Sequence, residues 1–233
     1  MKKLLVALLI LPIVLFNLSV THASNIDENS KKLEEQVKII KEHATTLNES
    51  QIKEAEKIIK ESIKEQEILL NGKGTLDYKN ANGYKFDETE GNIQTVTIPY
   101  KENKENEVSS LNNVTVAFDS KSHIKEYSEV KIEETSTHAK STVYVNGKES
   151  GTATIEKTEK TETKSDGEFH TLGYLDNVNK CMNKYGVNPD TAALAISTCG
   201  LVCTVSLGTL CVPCLGTVGA AAGGVIVACF INP

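Results

Sequence analysis

Cysteine is the residue type whose placement in this chain could most directly do chemistry: all six, Cys181, Cys199, Cys203, Cys211, Cys214 and Cys229, lie in the last 53 residues. They are separated by 17, 3, 7, 2 and 14 residues. A structural zinc site calls for two matched pairs of ligands, and only Cys211 and Cys214 form a Cys-x-x-Cys pair. Thioredoxin-type redox chemistry calls for a flanking strand and helix and a positive group to lower a thiol pKa, and neither is present here. Three disulfides remain the reading that suits an even number of cysteines in an exported segment. Cys199 and Cys203 stand one helical turn apart, as Cys211 and Cys214 do at the start of a following helix. The simplest arrangement pairs one set against the other across Gly208, although six cysteines allow 15 connectivities.

No other pattern points to catalysis, and the chain is expected not to be an enzyme. His43, His123, His138 and His170 have neither metal-ligand spacing nor a nucleophile and acid placed around them, and no glycine-rich phosphate loop occurs. No metal or cofactor is expected. The basic residues are all lysine, Trp is absent and the net charge is −6. Without Arg forks or Trp platforms on an acidic chain, nucleic acid is excluded as a partner.

The elements that must carry the cysteines fall into two chemistries. Residues 24–180 hold 22 Lys and 30 acidic side chains, a net of −8, whereas residues 181–233 hold only Lys184 and Asp190. Ahead of both, Met1, Lys2 and Lys3 precede an apolar run from Leu4 to Phe16 and a small-residue stretch, the layout of a secretory signal over residues 1–23 with cleavage between Ala23 and Ser24.

Residues 24–72 predict a helical hairpin. Leu33, Val37, Ile40, Ala44 and Leu47 make one apolar stripe; Asn48 and Gln51 form a capping box for a second helix with Ile52, Ala55, Ile59 and Ile63 on its face. Residues 73–168 change to alternation. Val96, Ile98 and Tyr100, then Val114, Val116 and Phe118, then Val130 and Ile132 predict strands with one buried face, and Asn146-Gly147 predicts a tight hairpin turn. Four to six antiparallel strands are expected over about 90–160. Glu156 to Glu168 contains no apolar residue and predicts a linker or a projecting strand end, open to a processing protease.

Residues 169–233 predict a small all-α, disulfide-stapled domain. Leu175, Val178, Cys181, Met182 and Tyr185 follow helical spacing up to Gly186; Asn188, Pro189 and Asp190 start a second helix to about Val205; Pro213 opens a third that reaches Cys229. From Thr191 to Pro233 there are 43 residues without a formal charge. A segment so small cannot hide so much apolar surface by itself, and its two halves are each at the short limit for crossing a bilayer. The fold class is therefore α+β: helical hairpin, antiparallel meander and stapled helical tail.

The Cys199-Gly200-Leu201-Val202-Cys203 segment, the Cys211-Val212-Pro213-Cys214-Leu215-Gly216 run and the Gly-rich stretch before Cys229 resemble precursors of the halocin C8-like bacteriocins, over about residues 175–233. The resemblance implies a secreted precursor whose C-terminal peptide is released as an antimicrobial, with the charged region as leader and immunity part. Its expected partners are a target-cell membrane or membrane receptor, and the N-terminal region itself. The competing expectation is an exported surface-binding protein anchored by an apolar helical hairpin in the tail.

Overall fold

In a computed structural model of the chain, residues 38, 42–87, 91–101, 111–157, 174–185, 189–205, 210, 214 and 229 are described. Seven strands follow one another as an antiparallel meander in chain order: β1 Ala44–Thr46, β2 Asn82–Phe86, β3 Gln94–Pro99, β4 Asn113–Phe118, β5 Ile124–Glu134, β6 His138–Val145 and β7 Lys148–Glu156. Among the described residues they are accompanied by the α-helices α1 Glu49–Lys64, α2 Tyr174–Lys184 and α3 Pro189–Val205 and by a short 3-10 turn at Tyr78–Asn80. The chain is α+β. The signal segment with Ala23 and Ser24, and the linker beyond Lys157, lie outside the described residues.

Local chemistry accounts for the best-defined elements. The Asn48 backbone N–H donates to Gln51 Oε1 at 2.9 Å and the Gln51 N–H to Asn48 Oδ1 at 3.0 Å, which closes the capping box and starts α1 where the sequence predicts. Such a cap contributes about 1 kcal/mol. At the β6–β7 turn Asn146 has φ 49° and Gly147 φ 77°, the two positive values that a type I′ hairpin needs.

The first predicted helix is corrected at its end. Ala44–Thr46 is a strand, paired with β2 from Ala44 opposite Phe86 to Thr46 opposite Tyr84. Two consecutive threonines favour extended backbone, and Asn48 must itself be extended (φ −79°, ψ 168°) to cap α1, so the chain leaves helical geometry before it. The rest of that predicted helix falls largely outside the described residues. β2 was likewise not expected; five of the seven strands fall within the predicted 90–160 interval.

A larger correction concerns the faces of the sheet, because both are buried. Val96, Ile98, Val114 and Val116 point to one side and pack with Ala55 and Ile59 of α1 and with Leu47 and Ile68. Alternate residues, among them Ala117, Val130, Ile132, Ala139 and Val143, point to the other side and share a core with Val178 and Met182 of α2 and with Leu194, Ala195 and Val202 of α3. Thr95, Thr97 and Thr115, which alternate with the apolar residues of β3 and β4, are also buried on this second side. The cysteine-rich tail thus covers the sheet, and its apolar surface is not left to be hidden within the tail alone.

Candidate interface between the sheet and the cysteine-rich tail

Helix α3 is apolar nearly all round, as expected of a helix covered on several sides. Among its described side chains the buried ones are Leu194, Ala195, Thr198, Cys199 and Val202, spaced one, three, one and three residues apart, a single helical stripe. The helix packs across β6 and β7. On β7 the half-buried residues Gly151, Ala153 and Ile155 alternate with the exposed Thr152, Thr154 and Glu156, so the strand turns its small and apolar side to the tail. Contact is closest at Gly151, where a Cβ would meet Leu201 Cδ1 at 2.6 Å. A glycine inside a strand marks such a close approach.

Among the described residues two disulfides staple the tail. Cys181 on α2 joins Cys229, and Cys199 on α3 joins Cys214. The second bridge joins one member of each set that the sequence placed on either side of Gly208. The side chain of Cys203, and Cys211 altogether, lie outside the described residues. Cys199, Cys214 and Cys229 are buried within the core shared with the sheet. Since no cysteine precedes Cys181, every intramolecular bridge is confined to the tail, and its hold on the sheet is non-covalent apart from the connecting chain.

The opposite face of the sheet is locked by a buried acid. Glu129 on β5, fully buried, accepts the backbone N–H groups of Asn71 (2.6 Å) and Gly72 (2.7 Å) and the Tyr100 hydroxyl (2.5 Å). A Cβ on Gly72 would come within 2.6 Å of Glu129 Oε1, so glycine permits this approach. The Tyr127 hydroxyl accepts the Leu69 N–H at 2.9 Å, and together these bonds fasten the strap after α1 to the sheet. Burial, and then the bond to Glu129, push the Tyr100 phenol far above its usual 10. Neutral Tyr100 is therefore favoured by folding: the contribution is complete below pH 10 and declines as pH rises above it. Tyr100→Phe should remove this onset from an alkaline unfolding curve, and a curve of unchanged shape above pH 10 would contradict the assignment.

A family model, Gpos_C8-like, described as "Putative immunity protein/bacteriocin", matches residues 21–231. The chain belongs to this family. No curated protein and no solved structure matches it. The Gpos_C8-like match extends the likeness seen in the tail over the charged region as well, so sheet and tail are parts of one family pattern.

Elsewhere in this Gpos_C8-like protein the histidines have local partners. His43 Nδ1 lies 2.9 Å from Asp87 Oδ2, His123 Nδ1 3.2 Å from Asp119 Oδ2, and His138 Nδ1 2.7 Å from Thr137 Oγ1; His170 lies outside the described residues. Among the described residues no three His, Cys, Asp or Glu side chains are grouped to hold a metal, and no helix is long and apolar enough to cross a membrane. An open groove of about 620 Å³ lies on the α1 side, lined by Ile58, Leu69, His123 and Ile124 among others. The residues that sequence reasoning missed are Gly151, whose mid-strand position was the available signal, and Glu129, which alternation assigns to the same side as Tyr127 but cannot distinguish from a solvated acid.

Proposed function

We propose that this protein is a secreted bacteriocin precursor in which the sheet shields the apolar face of its own antimicrobial tail until the linker is cut. The observation that carries this reading is the shared core: α3 packs across β6 and β7, α2 packs on α3, and their apolar residues join those of the sheet in one core, while the two described bridges close within the tail. A covalently self-contained unit can leave once the connecting chain is cleaved, and the charged segment from Glu156 to Glu168 gives a protease a stretch without apolar residues. The same sheet surface supports an immunity role, because it offers the tail a matching apolar face. Membrane activity follows from what separation exposes. Apolar residues of α3 such as Leu194 and Val202 would lose the cover that β6 and β7 give the helix, each worth roughly 1.5–3 kcal/mol when fully buried, and a bilayer can replace it.

Mass spectrometry of culture supernatant tests release. A fragment containing Cys181 to Pro233, lighter than its reduced form by the hydrogens of its bridges, is expected; recovery of uncut mature chain alone would sink the proposal. Leakage from protein-free liposomes exposed to that fragment is expected as well, and its absence would replace the bilayer with a membrane receptor as target.

A further inference from the structure

The sheet buries polar groups on both faces, but their bonding differs. On the α1 side Glu129 accepts three short bonds and the Ser62 hydroxyl donates to Glu67 at 2.8 Å. On the tail side Thr97 and Thr115 bond each other at 2.9 Å, yet Ser141 Oγ, Thr198 Oγ1 and both side-chain polar atoms of Asn82 have no partner among the described residues. Asn82 stands opposite Thr97 on β2, which puts it on this same side. All four unpartnered atoms thus belong to the half of the molecule that the tail covers or forms.

Two of them come from opposite sides of the seam. Ser141 is fully buried on β6 between Ala139 and Val143, both in the core shared with α3, and Thr198 is 1 % exposed in the middle of the buried stripe of α3. A buried hydroxyl without a partner is destabilising by its lost hydration, whereas alanine or valine of nearly the same shape carries no such penalty. Once the tail leaves the sheet both hydroxyls recover water, so the penalty acts on the closed state alone. We infer that Ser141 and Thr198 are release residues: they hold the tail on the sheet less firmly than its apolar contact would, so that the seam opens without unfolding either side. This rests on the reading that the tail works apart from the sheet.

Hydrogen exchange on the full-length, oxidised chain tests it. Thr198→Val and Ser141→Ala should each slow amide exchange in α3 by about tenfold, the worth of one relieved unpaired group, and leave β3, β4 and α1 unchanged. Thr198→Ser keeps the hydroxyl and should exchange no more slowly than the native chain. Unchanged or faster α3 exchange in both hydroxyl-deleting variants overturns the inference, as does a serine variant that slows exchange as valine does. Exchange is read on uncut chain, so a protein that proves never to be processed would defeat the precursor reading without deciding this one.

Discussion

Glu129→Gln is expected to destabilise the sheet by roughly 2–4 kcal/mol, because an amide cannot satisfy donors on both sides. Glu129 Oε1 accepts from Gly72 N–H and the Tyr100 hydroxyl, and Oε2 from Asn71 N–H. Whichever way the glutamine is turned, its NH2 group faces a backbone N–H that it cannot accept. That N–H is aimed at a fully buried side chain in the middle of β5, and leaving it unpaired there is costly. For a chain of this size the change corresponds to a fall of about 5–15 °C in melting temperature. Tyr100→Phe removes one donor and leaves the carboxylate its two backbone partners, so it should cost less. The two substitutions together should cost less than their sum, since they share one network. A Glu129→Gln melting temperature within about 2 °C of native would show that the strap from Leu69 to Gly74 is not fastened by this acid.

What could be read from the sequence was whatever a few neighbouring residues determine. The Asn48–Gln51 box and the Asn146-Gly147 turn each specify backbone geometry locally, and both are found in place. The period-two runs around Val96, Val114 and Val130 gave strands for the same reason. β2, by contrast, has the sequence Asn-Gly-Tyr-Lys-Phe, without a β-branched residue, and becomes a strand only because β1 and β3 pair with it. Ala44 and Leu47 fit a helical stripe as well as they fit a strand that ends in a cap, and pairing with β2 decides between them.

The second buried face was hidden for a different reason. Thr95, Thr97 and Thr115 alternate with valine and isoleucine, and alternation of polar with apolar residues normally reports one wet side. Here the tail that shares this core is separated from these strands by β5, β6 and β7, and its own signal is ambiguous because a helix apolar all round does not reveal which side meets a partner. The excess apolar surface of the tail was legible as a quantity. Where that surface goes depends on tertiary contact, and only the placement of Gly151 in a strand of Thr, Ala and Ile hinted at the position.

Gly151→Val should therefore act on the two halves of the molecule with opposite sign. In the sheet the change is favourable: Gly151 does not need a positive φ, and a β-branched residue suits a strand better than glycine does. At the seam it is unfavourable, since the new Cβ alone would stand 2.6 Å from Leu201 Cδ1 and 3.3 Å from its Cγ. Leu201 can turn its side chain, but it is packed among residues of the shared core, and overfilling of this kind costs about 1–3 kcal/mol. The expected result is a full-length protein with native far-ultraviolet dichroism that binds more of an apolar-surface dye, because the tail spends more time off the sheet. Leu201→Ala in the Gly151→Val background removes the clashing atoms and should reverse part of the dye binding, with a coupling of the order of 1 kcal/mol between the two positions. If Gly151→Val lowers the sheet's dichroism along with the tail's, the seam is not a separable contact; if dye binding stays native, α3 does not rest on β7 closely enough for the sheet to act as its shield.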